Sequence, residues 1–152
     1  MQFIPYLNFD GNCSEAMAFY AQVFGGKVMH QMTFGEMPAS EGMPPMPDAA
    51  KARIMHAHLQ IGAQALMASD TMPAMPGQGN EGCGGGYQKP QGMWVSIGVA
   101  DAEEGGRVFK ALADGGQVAM PYAATFWSPG FGMVTDRFGT PWMVNVQVAN
   151  PS

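Results

Sequence analysis

The residues best equipped for chemistry in this chain are His56 and His58. They stand two positions apart, and in an extended strand side chains at i and i+2 leave the same face. Two imidazoles side by side can give two donors to one metal ion or form an acid/base relay near neutral pH, so these two are the candidate catalytic residues. A structural reading competes: Gln60 continues the same polar face, and no third ligand is evident beside the pair. Methionine is the second unusual feature, 15 in 152 residues, with Met43-Pro44-Pro45-Met46-Pro47 echoed by Met72-Pro73-Ala74-Met75-Pro76. Thioethers bind soft ions such as Cu(I), and equally they make adaptable apolar contacts. Cys13 and Cys83 are the only cysteines and read as free thiols. Cys13 follows Asn12, which reads as a helix N-cap with Glu15 as its capping-box partner, a position where the helix dipole lowers a thiol pKa. The run Gly82-Cys83-Gly84-Gly85-Gly86 is a loop and no nucleotide cradle, since no strand precedes it and Pro90 follows where a helix would have to begin. Neither a Ser/His/Asp set nor a paired-carboxylate signature can be assembled from the scattered acids.

The elements that position these residues come in two copies. With an offset of 90, Phe19, Ala21, Gly25, Gly26 and Val28 fall on Phe109, Ala111, Gly115, Gly116 and Val118. Each copy opens with a short apolar run (3–9; 93–99), then an acidic turn and a helix-period stretch that stops at Gly-Gly. Strand-like residues return at 27–34 and 117–122. Residues 52–61 alternate, with Met55, Ala57, Leu59 and Ile61 on one face and Ile54, His56, His58 and Gln60 on the other, and a turn at Gly62 leads to a strand at 65–68. The second copy answers with 132–135, a structural turn at Asp136-Arg137-Phe138-Gly139, and a last strand at 141–148. The expected fold is therefore α+β: two βαβββ modules, 1–70 and 92–148, joined by a Gly/Pro-rich linker at 71–91. Two such modules would pair to enclose a cleft.

Composition narrows the partners. Lys and Arg number 7 against 12 Asp and Glu, a net charge of −5, with 47% apolar and only 12% charged residues. No basic stripe is available to neutralise phosphates, which argues against nucleic acid and against anionic membrane. No apolar stretch approaches membrane-spanning length and the first residues lack a charged leader pattern, so the expected location is cytoplasmic. A lightly charged surface suggests that a second copy covers part of it, as in a homodimer.

Several segments together resemble the vicinal oxygen chelate superfamily (glyoxalase, bleomycin resistance, dioxygenase), PhnB-like branch. They are Pro5-Tyr6-Leu7-Asn8-Phe9-Asp10-Gly11-Asn12 running into Ala18-Phe19-Tyr20; Met55-His56-Ala57-His58-Leu59 with Leu66-Met67-Ala68-Ser69-Asp70; and Thr125-Phe126-Trp127 with the segments 131–139 and 142–145. The resemblance spans nearly the whole chain and implies a single domain over 1–152, paired βαβββ modules with a cup-shaped site, and frequent homodimers. Members are often labelled demethylubiquinone methyltransferases, and no residue pattern here supports that activity. Catalytic members of the superfamily hold a divalent metal with His or Glu on the first and last strands of each module. Those positions fall here near Ile4 or Pro5, Leu66 or Ala68, Trp94 or Val95, and Met143, none of them a hard-metal ligand; Glu15, Glu36, Glu41, Glu81, Glu103 and Glu104 lie in helices or loops, and the second module has no His. The expectation is a protein without cofactor or metal that binds a small apolar or aromatic molecule. Its lining would come from Tyr6 and Asn8, His56 and His58, Trp94 and Ser96, Phe126, Trp127 and Phe131, and Asn145. The alternative is a metal-dependent lyase, isomerase or dioxygenase with divergent ligands that include His56 and His58.

Overall fold

The repeat folds as the same arrangement twice. The computed structural model describes residues 1–38, 41–42, 45–73 and 86–148. The chain divides into two units, Met1–Gln88 and Lys89–Ser152. The first contains β1 (Tyr6–Phe9), α1 (Cys13–Phe24), β2 (Lys27–Thr33), a single 3-10 turn (Phe34–Glu36), the short α2 (Asp48–Lys51), β3 (Ile54–Ile61) and β4 (Gln64–Asp70). The second contains β5 (Val95–Val99), α3 (Ala102–Ala113), β6 (Gln117–Ala123), β7 (Phe131–Thr135) and β8 (Pro141–Val146). The sheets run β1-β4-β3-β2 and β5-β8-β7-β6, with β1–β4 and β5–β8 parallel and the other neighbours antiparallel. This is the expected βαβββ order in both units. The first strand is shorter than the apolar run, because Pro5 has no N–H for the ladder and contributes only its carbonyl, which accepts from the Met67 N–H at 3.0 Å. The 3-10 turn and α2 lie between β2 and β3, where the sequence reading placed no element. Met43, Met75 and Cys83 lie outside the described residues.

In each unit the helix covers one face of its own sheet. On α1 the buried positions are Cys13, Ala16, Met17, Tyr20 and Val23, an i, i+3, i+4, i+7 stripe laid over Ala57, Leu59, Leu66 and Ala68. On α3 they are Gly105, Val108, Phe109 and Leu112, facing Val134, Trp142, Val144 and Val146. The offset of 90 therefore holds at the helix ends but slips inside the helices: Phe109 is buried, whereas Phe19 is half-buried and its neighbour Tyr20 takes the core position.

Both glycine doublets meet the same two demands. Gly25 and Gly115 have φ of +68° and +72°, the left-handed conformation that stops a helix. Gly26 and Gly116 let the chain graze the sheet; a Cβ at Gly26 would lie 2.6 Å from the Gln60 carbonyl oxygen, and one at Gly116 would strike that of Thr135.

The two helix starts differ. On α3, Asp101 caps the N-terminus by accepting from the Glu104 N–H at 2.8 Å. On α1 the Asn12 side chain makes no cap bond, contrary to the sequence reading. The cap arrives instead from β4: buried Asp70 accepts from the N–H groups of Gly11 (2.9 Å) and Cys13 (3.0 Å), and its other oxygen accepts from the Ile54 N–H (2.8 Å). A carboxylate from a distant strand is a better partner here because it ties α1, β3 and β4 together at once. Buried Asp136 organises the last turn of the second unit in the same manner, accepting from the N–H groups of Phe138 (2.9 Å) and Thr140 (3.0 Å) and from the indole N–H of Trp142 (2.7 Å).

Candidate functional site

Strand pairing fixes which side chains share the face away from α1. Leu59 and Ala57 are buried under the helix, so His58 and His56 point the other way. His58 is opposite Met67 on β4, Met67 is opposite Tyr6 on β1, and His58 is opposite His30 on β2. The result is one row across four strands: Tyr6, Met67, His58, His30. A neighbouring row holds Asn8 and Ser69, whose hydroxyl donates to the Asn8 Oδ1 at 3.2 Å, and, two strands over, His56 with its partner Met32.

His30 was not among the residues singled out by sequence, and the reason is a break in the alternation. Val28 pairs with the core residue Leu59, so plain counting sends His30 to the helix side. The ladder instead shifts between Val28 and His30 and again between Met32 and Thr33, leaving Met29 as an extra residue on β2 and Met55 as one on β3. Between these irregularities His30 faces His58. The same shift explains why Ile54, read as sharing the His56 face, is buried. The two irregularities cancel, since 27–33 and 54–60 pair with seven residues each, so strand length carries no trace of them.

All three histidines of the chain thus gather on one sheet face. The Tyr6 hydroxyl lies 3.3 Å from His56 Nδ1, and the two rings stack at 5.9 Å between centroids. The His30 and His56 rings are 6.4 Å apart. His58 Nε2 is shielded from solvent and has no hydrogen-bond partner among the described residues. Such an atom forfeits its water without compensation, which is rare in folded proteins and a mark of sites that await something else. Near the outer end of β2, Glu36 is committed to Thr33, accepting from its N–H at 2.7 Å and its hydroxyl at 2.9 Å, and these bonds hold its carboxyl below the usual carboxylate range.

The second unit uses the same scaffold with different chemistry. A Cβ at Gly132 would strike the Phe109 ring of α3, so Gly132 and Val134 face the helix, and Phe131 and Met133 face away. The row matching the one above reads Ser96, Met143, Met133, Met120, and the next reads Gly98, Asn145, Phe131. An irregularity after Val118 again brings the last member onto this face. The side of the sheet that carries imidazoles in the first unit carries thioethers here. Asn145 Oδ1 is buried with no partner among the described residues. Phe126 and Trp127 precede β7 and form an edge-to-face chain onto Phe131, with ring separations of 4.7 and 5.4 Å. Trp94 lies just before β5 and is exposed. Within units, the structure thus brings together Tyr6, His56 and His58, with Asn8 beside them, and Ser96, Phe131 and Asn145 with the two loop aromatics.

The positions where the superfamily places metal ligands can now be read from register. Ala68 and Val95 turn to the helix side and Ile4 precedes β1; the outward-facing residues adjoining those positions are Tyr6, Met67, Ser96 and Met143, with Asn8, Ser69, Gly98 and Asn145 in the next row. Hydroxyl, thioether and amide groups are not the carboxylate and imidazole set of that centre, so these residues do not fit it. Among the described residues no group of three or more His, Cys, Asp and Glu is placed to hold a metal ion. Cys13 does not have the activated thiol its helix-start position suggested: burial, reinforced by the Asp70 carboxylate, pushes it up to about 12. Among the described residues no helix is long and apolar enough to cross a membrane.

Comparison with known proteins agrees with this geometry. A family model described as 3-demethylubiquinone-9 3-methyltransferase matches residues 1–145. Protein YjdN of Escherichia coli K12 is 37% identical over 157 residues, covering 100% of this chain and 99% of that protein. Among solved structures, protein PA1353 of Pseudomonas aeruginosa superposes with a TM-score of 0.81 at 43% identity, covering 97% of this chain and 98% of that one. The PhnB protein of Bacillus cereus superposes at 0.69 with 21% identity over 97% and 100% of the two chains, a likeness of fold. The chain belongs to the 3-demethylubiquinone-9 3-methyltransferase (PhnB-like) family and has the glyoxalase/bleomycin resistance/dioxygenase fold.

Proposed function

We propose that the protein binds a small, flat or apolar molecule on the sheet faces turned away from its helices. One observation carries this reading. Among the described residues the buried side-chain polar atoms without a partner are His58 Nε2 and Asn145 Oδ1, one in each unit and both on these faces. A buried, unpaired polar atom costs about 1–3 kcal/mol, a cost that a ligand group can recover. Tyr6 and His56 supply further polar contact in the first unit, and Phe126, Trp127 and Phe131 supply ring surface in the second. The methyl transfer named in the family's description is a statement about the family; the groups on these faces are binding groups, and any reaction here would start from the His56 imidazole that Tyr6 orients.

Binding in this reading needs no resident metal, supported by the hydroxyl and thioether side chains at the superfamily's ligand positions. The presence of His30 beside His56 favours one second reading, a metal-dependent enzyme with imidazole ligands. A cytoplasmic homodimer is the setting we propose, supported by Phe126, 97% exposed, and by the low charge of the chain. The test of the main reading is a thermal-shift screen of aromatic fragments against wild-type protein and His58→Leu. Binders should raise the wild-type melting temperature by about 2 °C or more and lose that effect in the variant. A library that stabilises neither protein, or both equally, refutes the reading for the first unit.

A further inference from the structure

We infer that the ligand of the first unit carries an oxyanion, a carboxylate in the simplest case, received by the imidazole N–H groups of His56 and His58. This deepens the binding reading above and rests on it. The geometry supplies the donors. When the Tyr6 hydroxyl donates to His56 Nδ1 across 3.3 Å, the neutral ring must carry its proton on Nε2, and that N–H is left to point at a ligand. His58 Nε2, two residues along the same face, has no partner among the described residues. Two ring nitrogens on one face, each able to donate, suit an acceptor with more than one oxygen.

The charge on the face selects an anion over a neutral acceptor or a cation. Among the described residues of its four strands no acid lies on it, in a chain of net charge −5. Asp70, the only acid of β1 and β4, turns to the helix side and is used up by three backbone N–H groups. Glu36, which interacts electrostatically with His30, is bound to Thr33. Lys27 pairs with Gln60, and Gln60 shares the face of His56 and His58, so the one Lys of the sheet strands stands on this side too. A cationic ligand would meet imidazoles and a lysine with nothing to neutralise it. An oxyanion would meet donors, a favourable field and no competitor. Met67, opposite His58, is unbranched and can swing aside to admit it.

The test uses benzoate and its neutral isostere benzamide, titrated into the full-length protein and followed by long-range 1H–15N spectra of the histidine rings. His30→Gln, His56→Gln and His58→Gln assign the signals. Benzoate should shift the Nε2 signals of His56 and His58 saturably, with benzamide at least about tenfold weaker, the loss expected when a charged acceptor becomes neutral. His58→Gln and, independently, His56→Gln should each weaken benzoate by about fivefold or more, while backbone spectra outside the face stay unchanged. Equal binding of benzoate and benzamide would overturn the oxyanion and leave the binding reading standing. Benzoate affinity untouched by both variants would also overturn it. If neither compound moves any ring signal at millimolar concentration, both readings fall.

Discussion

A histidine nitrogen buried without a partner should make the protein less stable than it could be, and His58→Leu measures by how much. The buried, unpaired Nε2 costs about 1–3 kcal/mol. Leucine removes the polar atom and keeps a side chain of comparable bulk; a swap of shape in a packed setting costs below about 1.5 kcal/mol. The difference favours the variant by about 1 kcal/mol, equivalent to a rise in Tm of about 2–4 °C for a chain of this size. Urea denaturation followed by circular dichroism, with a thermal scan in parallel, resolves a change of that size. His56→Leu is the control: its Nδ1 is paired with the Tyr6 hydroxyl and Tyr6 is 48% exposed, so stability should move by no more than about 0.5 kcal/mol. A loss of 1 kcal/mol or more in His58→Leu would show that the nitrogen has a structural partner, and the argument for an unmet binding group would fall with it. A gain would identify a residue that the fold tolerates and does not need.

Other expectations are equally direct. Asp70→Ala strands three backbone N–H groups at the start of α1 and β3 and should cost about 3–5 kcal/mol in urea denaturation; a cost below about 1 kcal/mol would mean that water replaces the carboxylate. In a Cys83→Ser background, Cys13 should resist thiol reagents at pH 8 in the native state and react fully in urea. Because folding raises its pKa from 9.0 to about 12, its contribution to stability is complete below pH 9 and is lost as pH climbs toward 12. Rapid native labelling would contradict this. Phe126→Glu should convert a dimer to a monomer in sedimentation velocity, and a wild-type monomer would end the dimer proposal. Protein purified without chelators should carry well below one equivalent of metal by mass spectrometry; stoichiometric metal lost in His56→Ala/His58→Ala would favour the enzyme reading instead.

The sequence disclosed the order of the elements because the two copies share their punctuation. Gly25-Gly26 and Gly115-Gly116 mark helix ends whatever packs around them, and the alternation of Ala57, His58 and Leu59 assigned the faces of β3 locally. What escaped was everything set by pairing. Ile54 was set on the wrong face and His30 was passed over because a one-residue shift in the ladder overrides counting along a single strand. Ala68 and Val95 were one residue away from the positions that face outward, for want of the same register. Asn12 looked like a cap because the competing cap, Asp70, lies 58 residues downstream. Cys13 looked activated because position on a helix is readable and burial beside a carboxylate is not.

The extra residues Met29 and Met55 carry a consequence for reading relatives of this chain. Removing either would abolish the irregularity beside it and still leave His30, His56 and His58 on their present side, since each is surplus to the pairing. Chain length can therefore drift by one at these two places while the display is preserved. An alignment that forbids gaps inside strands would set His30 of this protein in the same column as a helix-facing residue of a relative without the bulge. Variation in that column would then describe the core of one protein and the binding face of the other, and ancestry inferred from it would follow the wrong surface.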